Sequence, residues 1–324
     1  MRYTRLGQTD LEVSSICFGT WQTGGDWGAI EEDEAKEAAR RSLDLGINFF
    51  DTARAYGFGE SERLLGQALE LGSSARRSEV VVVTKGGLRR AGDELLRDSS
   101  RGALREGIEE SLRHLGTDYV DIFQVHWPDG GTPFEETGAA LEELVAEGKA
   151  RYAGVSNFDA DQMAELGETR KPDTLQPPYH LFRREIESEI LPYCREQGVG
   201  VLVYGPLAHG LLTGKVDVET EFAEDDWRAG SDVFQGQEFE GNLQIVGELS
   251  RFAAERGWSV AQLAVAWTLS SPGVDVAIVG ARRADQIEGT APAADIDITP
   301  DDRGEIDEIT EGAVAVGGPS PETA

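Results

Sequence analysis

Asp51, Tyr56, Lys85 and His126 combine an acid, a phenol, an ammonium and an imidazole. Held together, these four groups could pass a proton to or from a substrate. Three of them close apolar, strand-like runs: Ile47-Asn48-Phe49-Phe50-Asp51, Val80-Val81-Val82-Val83-Thr84-Lys85 and Asp121-Ile122-Phe123-Gln124-Val125-His126. Tyr56 follows Asp51 by five residues. In a β/α barrel the C-terminal ends of the parallel strands share one face, and that face carries the chemistry. A lone Tyr near a strand end is more often core or rim, and a lone Asp after a strand is commonly a helix cap. The argument therefore rests on the four together, because each then has a partner for its role.

Strand-like and helical segments alternate along the chain, which implies a parallel sheet with crossover helices. A short segment from Arg2 to Val13, with a turn at Gly7-Gln8-Thr9-Asp10, reads as a small hairpin outside the main architecture. Eight strand candidates follow: Ser15–Phe18, Asn48–Asp51, Val80–Lys85, Val120–His126, Tyr152–Ser156, Thr174–Pro177, Gly200–Tyr204 and Val276–Gly280. Between them Leu104, Ile108, Leu112 and Leu115 recur at helical spacing, and Ser259 to Gln262 is a capping-box pattern. Thr299-Pro300-Asp301-Asp302 opens a further helix after the eighth strand. The fold expected is an α/β (β/α)8 TIM barrel with an N-terminal hairpin and an extra C-terminal helix. Residues 1–312 would form one domain and residues 313–324 a frayed tail. A doubly wound open sheet would want a glycine fingerprint after its first strand, and Gly19-Thr20-Trp21-Gln22-Thr23-Gly24-Gly25 does not match G-x-G-x-x-G. The stretch Ala208 to Gly241 shows no clear element and suits a lid or binding loop.

Sixty acids face thirty bases, and only five of the bases are lysines, for a net charge of −30. Such a charge argues against nucleic-acid partners, whose phosphates need Lys and Arg, and against anionic membrane surfaces. The acids are dispersed, as in cytosolic proteins of salt-in halophiles, where salt screens self-repulsion. No apolar run approaches the length of a membrane helix. Met1 to Asp10 lacks the apolar core of a signal peptide, so a cytoplasmic location is expected. Cys17 and Cys194 read as buried free thiols, and no metal-ligand spacing is present.

The markers Gly19-Thr20-Trp21, Asn48-Phe49-Phe50-Asp51-Thr52-Ala53-Arg54-Ala55-Tyr56-Gly57, Thr84-Lys85, Gln124-Val125-His126-Trp127-Pro128, Gly154-Val155-Ser156-Asn157-Phe158, Gln176, Tyr204-Gly205-Pro206-Leu207 and Val279-Gly280-Ala281-Arg282 recur in family order over nearly the whole length. By these the chain resembles the aldo-keto reductases, barrel enzymes that use NADPH or NADH. The resemblance implies reduction of aldehydes or ketones, or oxidation of the matching alcohols or sugars. Tyr56 would be the general acid/base, Lys85 would favour its phenolate, Asp51 would hold Lys85, and His126 would orient the carbonyl oxygen. Ser156, Asn157 and Gln176 would bind the nicotinamide carboxamide, and Tyr204 would stack on its ring. Thr20, Trp21 and Pro206 would also face the cofactor, while Leu207, Leu211, Thr213 and Lys215 would lie along the pyrophosphate.

Gly280, Arg282 and Arg283 would meet the adenosine phosphate, with NADPH preferred and NADH possible. Gln286 would reach the phosphate or adenine. Gly289-Thr290 stand where many members carry Glu-Asn for adenine. Taken by itself, Asn157 suits an N-cap for the helix containing Gln162. Trp21, Phe58 and Trp127 would wall the substrate pocket, with Trp227 nearby. The partner expected is a small carbonyl or alcohol compound, and the assembly a monomer or small homo-oligomer. Two other classes compete: a nucleotide-binding regulatory subunit of the same family, and a lyase or isomerase using Lys85 as a Schiff base.

Overall fold

Successive apolar residues on the central runs point to opposite faces, and both faces must be covered. In the computed structural model, which describes residues 1–24, 27, 31–91 and 94–319, this is met by closing the strands on themselves inside a ring of helices. An antiparallel hairpin of β1 (Tyr3–Arg5) and β2 (Glu12–Ser14) comes first. It is followed by β3 (Ile16–Gly19), β4 (Phe49–Asp51) and β5 (Val81–Gly86). A second hairpin, β6 (Leu88–Ala91) and β7 (Glu94–Arg97), interrupts before β8 (Val120–Val125). Next come β9 (Ala150–Ser156), β10 (Thr174–Gln176), β11 (Gly200–Tyr204) and β12 (Val276–Gly280). Strands β3, β4, β5, β8, β9, β10, β11 and β12 close in that order into a parallel barrel, β12 pairing with β3.

The surrounding helices are α1 (Glu32–Asp44), α2 (Glu60–Leu69), the short α3 (Ser74–Arg77), α4 (Arg101–Leu115), α5 (Phe134–Ala146), α6 (Ala160–Gly167), α7 (Ile190–Gln197), α8 (Gly236–Glu255), α9 (Val260–Leu269), α10 (Ala284–Thr290) and α11 (Pro300–Ile309). Ser259 and Thr299 cap α9 and α11 as the sequence anticipates, and Pro300 opens α11.

Alternation along each strand makes two cores. Cys17, Phe49, Val81, Val83, Ile122, Leu202 and Val276 fill the barrel, and Leu6, Leu11 and Val13 of the first hairpin join them. That hairpin lies against Asn48 and Gly200, at the starts of β4 and β11, so it closes the N-terminal end of the barrel. Phe18, Phe50, Val82, Phe123 and Val125 face outward against Leu65, Leu104 and Ile108 of the helices. Burying each such side chain contributes about 1.5–3 kcal/mol. With one end closed and the middle packed, only the C-terminal end is left open for chemistry.

Three features differ from expectation. The hairpin β6–β7 was not anticipated, because Arg89, Arg90 and Arg97 break the apolar pattern of a strand. The region from Ala208 is not uniformly irregular: short 3-10 turns at Ala208–Thr213, Trp227–Gly230 and Asp232–Phe234 give way to α8 at Gly236. Residues 313–319 do not fray. Val316 is fully buried and donates its N–H to Phe182 O, and Asn242 exchanges two hydrogen bonds with the Val314 backbone. The rest of the expected tail, residues 320–324, lies outside the described residues. Among the described residues no helix is long and apolar enough to cross a membrane. Cys17 and Cys194 are free and buried.

Candidate active site

A period of two places Phe49 and Asp51 of β4, Val83 and Lys85 of β5, and Ile122 and Gln124 of β8 on the barrel's inner face; His126 continues the β8 series. Packing fills the lower positions with apolar groups and leaves the polar ones at the open end. Lys85 is 1% exposed. Its three N–H bonds have three acceptors: Asp51 Oδ1 at 2.7 Å, Thr52 O at 2.9 Å and Tyr56 Oη at 3.2 Å. Asp51 Oδ1 also accepts from Gln176 Nε2 at 2.8 Å. Burial pushes the Asp51 carboxyl above its usual range, against the opposing pull of Lys85 and Gln176.

Tyr56 opens a 3-10 turn in which Gly57, Phe58 and Gly59 all take left-handed φ values, of 62°, 50° and 101°. Glycine adopts this region freely and Phe does not. The turn reverses the chain so that the phenol folds back over the strand ends. His126 packs edge-on to Tyr56, with ring centroids 5.7 Å apart. Burial, with Lys85 nearby, holds the His126 imidazole well below its ordinary value, so the ring is neutral near pH 7. Its Nδ1 is buried and has no hydrogen-bond partner among the described residues.

Beside the four lies a polar recess. Ser156 donates to Gln176 O at 2.8 Å, Asn157 Nδ2 donates to His126 O at 3.0 Å, and Tyr204 Oη donates to Asn157 Oδ1 at 2.9 Å. Asn157 has a left-handed φ of 63° and does not cap a helix. Asp159 caps α6 instead, in a capping box with Gln162. The recess belongs to a cavity of about 1390 Å³, which runs from Phe58, Trp127 and Tyr56 past Tyr204, Pro206 and Leu207 to Gly280, Arg282, Gln286 and Thr290. Trp21, Trp227 and His209 pack on one another at the mouth, with Trp27 edge-on to Trp21 and Trp227. Glycine at 280 matters here: a Cβ would come within 2.1 Å of the Gln22 amide.

Most of the residues singled out in the sequence line this cavity, and four do not: Lys85, buried behind Asp51 and Tyr56, is joined by Thr20, Leu211 and Arg283. Thr20 is buried beneath it, donating to Asp51 O at 3.0 Å. Leu211 has no exposed surface and belongs to the outer core. Arg283 lies outside the cavity lining, exposed and bonded through two nitrogens to Asp285 at 2.9 and 3.1 Å. The N–H groups of Arg282 and Arg283, expected to await a phosphate, both donate to Gln286 Oε1, at 2.7 and 3.3 Å. Arg282 Nη1 donates to Trp27 O at 3.0 Å. Sequence reasoning also passed over Gln124, which bonds Gln176 and Thr174 beneath Asp51. Its place two residues before His126 on an inward-facing strand was the available signal.

The recess fits a nicotinamide group. It joins amide and hydroxyl side chains to a Tyr204 ring, it connects to the proton-bearing residues through the Gln176–Asp51 bond, and the cavity, at about 1390 Å³, has the volume for a dinucleotide beside a small substrate. Among the described residues no group of three or more His, Cys, Asp or Glu could hold a metal.

The profile of the Aldo/keto reductase family matches residues 15–311. The aldo-keto reductase YhdN of Bacillus subtilis is 41% identical over 317 residues, covering 97% of this chain and 95% of that one. A probable voltage-gated potassium channel subunit beta of rice is 37% identical, over 91% of this chain and 92% of its own. Among solved structures, the glycerol dehydrogenase of Gluconobacter oxydans superposes with a TM-score of 0.88 at 37% identity, covering 98% of each chain. Barrel, site and relatives agree, and the chain belongs to the aldo-keto reductase family, oxidoreductases that act on carbonyl and alcohol groups with a nicotinamide cofactor.

Proposed function

We propose that this protein reduces aldehydes or ketones, or oxidises the matching alcohols or sugars, with Asp51, Tyr56, Lys85 and His126 as its catalytic residues. The observation that carries the reading is the buried Lys85 ammonium, bonded at once to Asp51 and to the Tyr56 phenol. The bound cofactor supplies the hydride, and this chain supplies the proton and the place for the oxygen. Tyr56 gives its proton to the carbonyl oxygen as negative charge develops there. A free phenol titrates near about 10, poorly matched to exchange at neutral pH. The Lys85 Nζ–H on its oxygen favours the phenolate left behind. Asp51, fixed by Gln176, keeps Lys85 from turning away. His126, neutral because it is buried, can donate to the same carbonyl oxygen without adding a charge.

Ser156, Asn157 and Gln176 would hold the carboxamide and Tyr204 the ring face. Pro206, Leu207, Gly280, Arg282 and Gln286 would line the remainder. NADPH is the expected cofactor, through Arg282 and Arg283, with NADH possible. The aromatic mouth of Trp21, Phe58 and Trp127 suits an apolar, ring-bearing or sugar-like carbonyl compound. The test is initial rates with NADPH and NADH at high KCl over aldehydes and ketones, beside Tyr56→Phe. Turnover by the parent and its loss in the variant are expected. Failure of the folded protein to bind either cofactor would overturn the reading. The likeness to a channel beta subunit favours one alternative, a cofactor-binding regulatory subunit. Tight cofactor binding with no turnover on any carbonyl would select it.

A further inference from the structure

Helix α2 starts directly behind Tyr56, and its first turn reaches three strand ends. Ser61 Oγ lies 2.7 Å from Thr20 Oγ1, after β3, and 3.1 Å from Thr52 Oγ1, after β4. Glu62, the next residue, has no exposed surface. One of its oxygens accepts from Thr84 Oγ1 at 2.6 Å, immediately before Lys85 on β5. The other lies 3.0 Å from Nδ1 of His114 on α4. The His114 ring in turn covers Gly59, the last residue of the Tyr56 turn: a Cβ there would sit 2.2 Å from the ring. Arg54, before the turn, is held by Glu110 of the same helix. A wholly buried carboxylate is a costly way to fill space, and an apolar side chain would fill it more cheaply. Through these two bonds Glu62 joins the strand that carries Lys85 to the helix that backs the turn carrying Tyr56.

We propose that Glu62 and His114 are positioning residues that hold the Tyr56 turn against the Lys85 end of β5, and so fix the phenol-to-ammonium contact. The proposal rests on the reading of Tyr56 as proton donor. Within the left-handed turn Tyr56 N–H donates to Ala53 O at 3.0 Å, Phe58 N–H to Ala55 O at 3.5 Å, and Glu60 N–H to Tyr56 O and Gly57 O. Lys85 Nζ bonds the Tyr56 phenol from within, and the His114 ring lies against Gly59 from outside. His114 is oriented by Glu62, and Glu62 is tied to Thr84. Other charges face His114: Glu60 on α2, and Glu110 and Arg113 on α4. Among them Glu62 contributes most to holding the His114 imidazole above its ordinary value, which keeps the ring a donor toward the carboxylate.

The experiment compares the parent, His114→Leu, Glu62→Gln, Thr84→Val and Thr84→Ser by kcat, KM, cofactor binding and hydrogen exchange of the segment around 53–60. His114→Leu and Thr84→Val should lower kcat about ten-fold, as loose placement of a reacting group does. The KM for carbonyl and the affinity for cofactor should stay within about two-fold, because neither pocket is touched. Amides of the turn should exchange faster in both variants. Thr84→Ser keeps the hydroxyl and should restore kcat and protection. A merely structural role would lower the melting temperature and leave kcat and the exchange of the turn as in the parent, and that result overturns the proposal. His114 is partly exposed, so its variant keeps the test open if Glu62→Gln does not fold. Exchange at the turn reads the proposal even if the parent turns over no carbonyl, a result that would count against the Tyr56 reading instead.

Discussion

The two ends of the cavity differ in what their polar groups are already bonded to. At the end beside Lys85 every N–H of its ammonium meets a neighbour in the site, and Asp51 and Gln176 bond each other across the barrel. At the far end Arg283 is bound to Asp285, and Gln286 takes the N–H groups of Arg282 and Arg283. The first end is built in advance and gains little by rearranging, as electrostatic stabilisation requires. The second must exchange protein partners for ligand partners, so only the difference between the two sets of bonds appears as affinity. The contrast follows from position: strand ends are fixed by the barrel, whereas the turn before α10 is exposed and free to re-pair.

The sharpest way to break this comparison is Lys85→Met. A preassembled proton donor should lose about 10³-fold in kcat when its ammonium goes, with cofactor affinity little changed. Initial rates and cofactor titration, with a melting curve to confirm folding, read the result. A loss of less than ten-fold would mean that the contacts of Lys85 hold structure together and do no chemistry. Next in size is His126→Gln, for which we expect about 10²-fold in kcat from the loss of an oriented donor. A rise in KM alone would move His126 from the reacting oxygen to the pocket wall.

The end beside Lys85 and the mouth should also be acid-sensitive parts. His126, His180 and His209 are all buried, and burial holds each imidazole below its ordinary value, His209 at about 4. A base depressed on folding contributes stability that is complete above its unfolded value, near about 6.5, and is lost as pH falls toward the folded value. For His209 alone the loss is about 3 kcal/mol. Asp51 and Asp275, held above their range by burial, and His114, held up by Glu62, run the other way over part of the window, and the three depressed imidazoles are expected to outweigh them. Denaturant midpoints from pH 7 to 4.5 should fall, and His209→Phe should flatten the decline. An unchanged slope in that variant would place the acid sensitivity elsewhere.

What the sequence made legible follows the same division. Asp51, Lys85 and His126 each end an apolar run, so strand polarity alone put them on one face, and the eight barrel strands lie within two residues of their expected bounds at either end. The role of Glu62 was not legible. A Glu in the first turn of a helix ordinarily complements the helix dipole at the surface, and nothing local says that this one is buried against Thr84. Val316 was hidden for a similar reason. A chain end rich in Gly and Pro has no periodicity, and its burial depends on Asn242 and Phe182, far away in sequence. At the far end, Arg282 and Arg283 were visible as a pair of cations, but which anion each would meet was not. Asp285 is only two residues beyond Arg283, and a short-range pairing of that kind competes with any ligand.

That competition gives the finest test of the contrast. Replacing Asp285 by Ser removes the partner that holds Arg283 and leaves the guanidinium available to a 2′-phosphate, which it can meet through two nitrogens. NADPH affinity should then rise by about five-fold, in keeping with the small worth of an exposed ion pair, while NADH affinity, lacking that phosphate, should stay close to the parent value. Adding Arg283→Ala to Asp285→Ser should erase the gain, since the two changes act through one contact. The kcat of all three proteins should match, because the tetrad is already assembled and does not read the far end. If Asp285→Ser moves NADPH and NADH alike, the carboxylate acts on the shared part of the cofactor, and selectivity lies with Arg282, which is anchored on Trp27 O and lines the cavity itself.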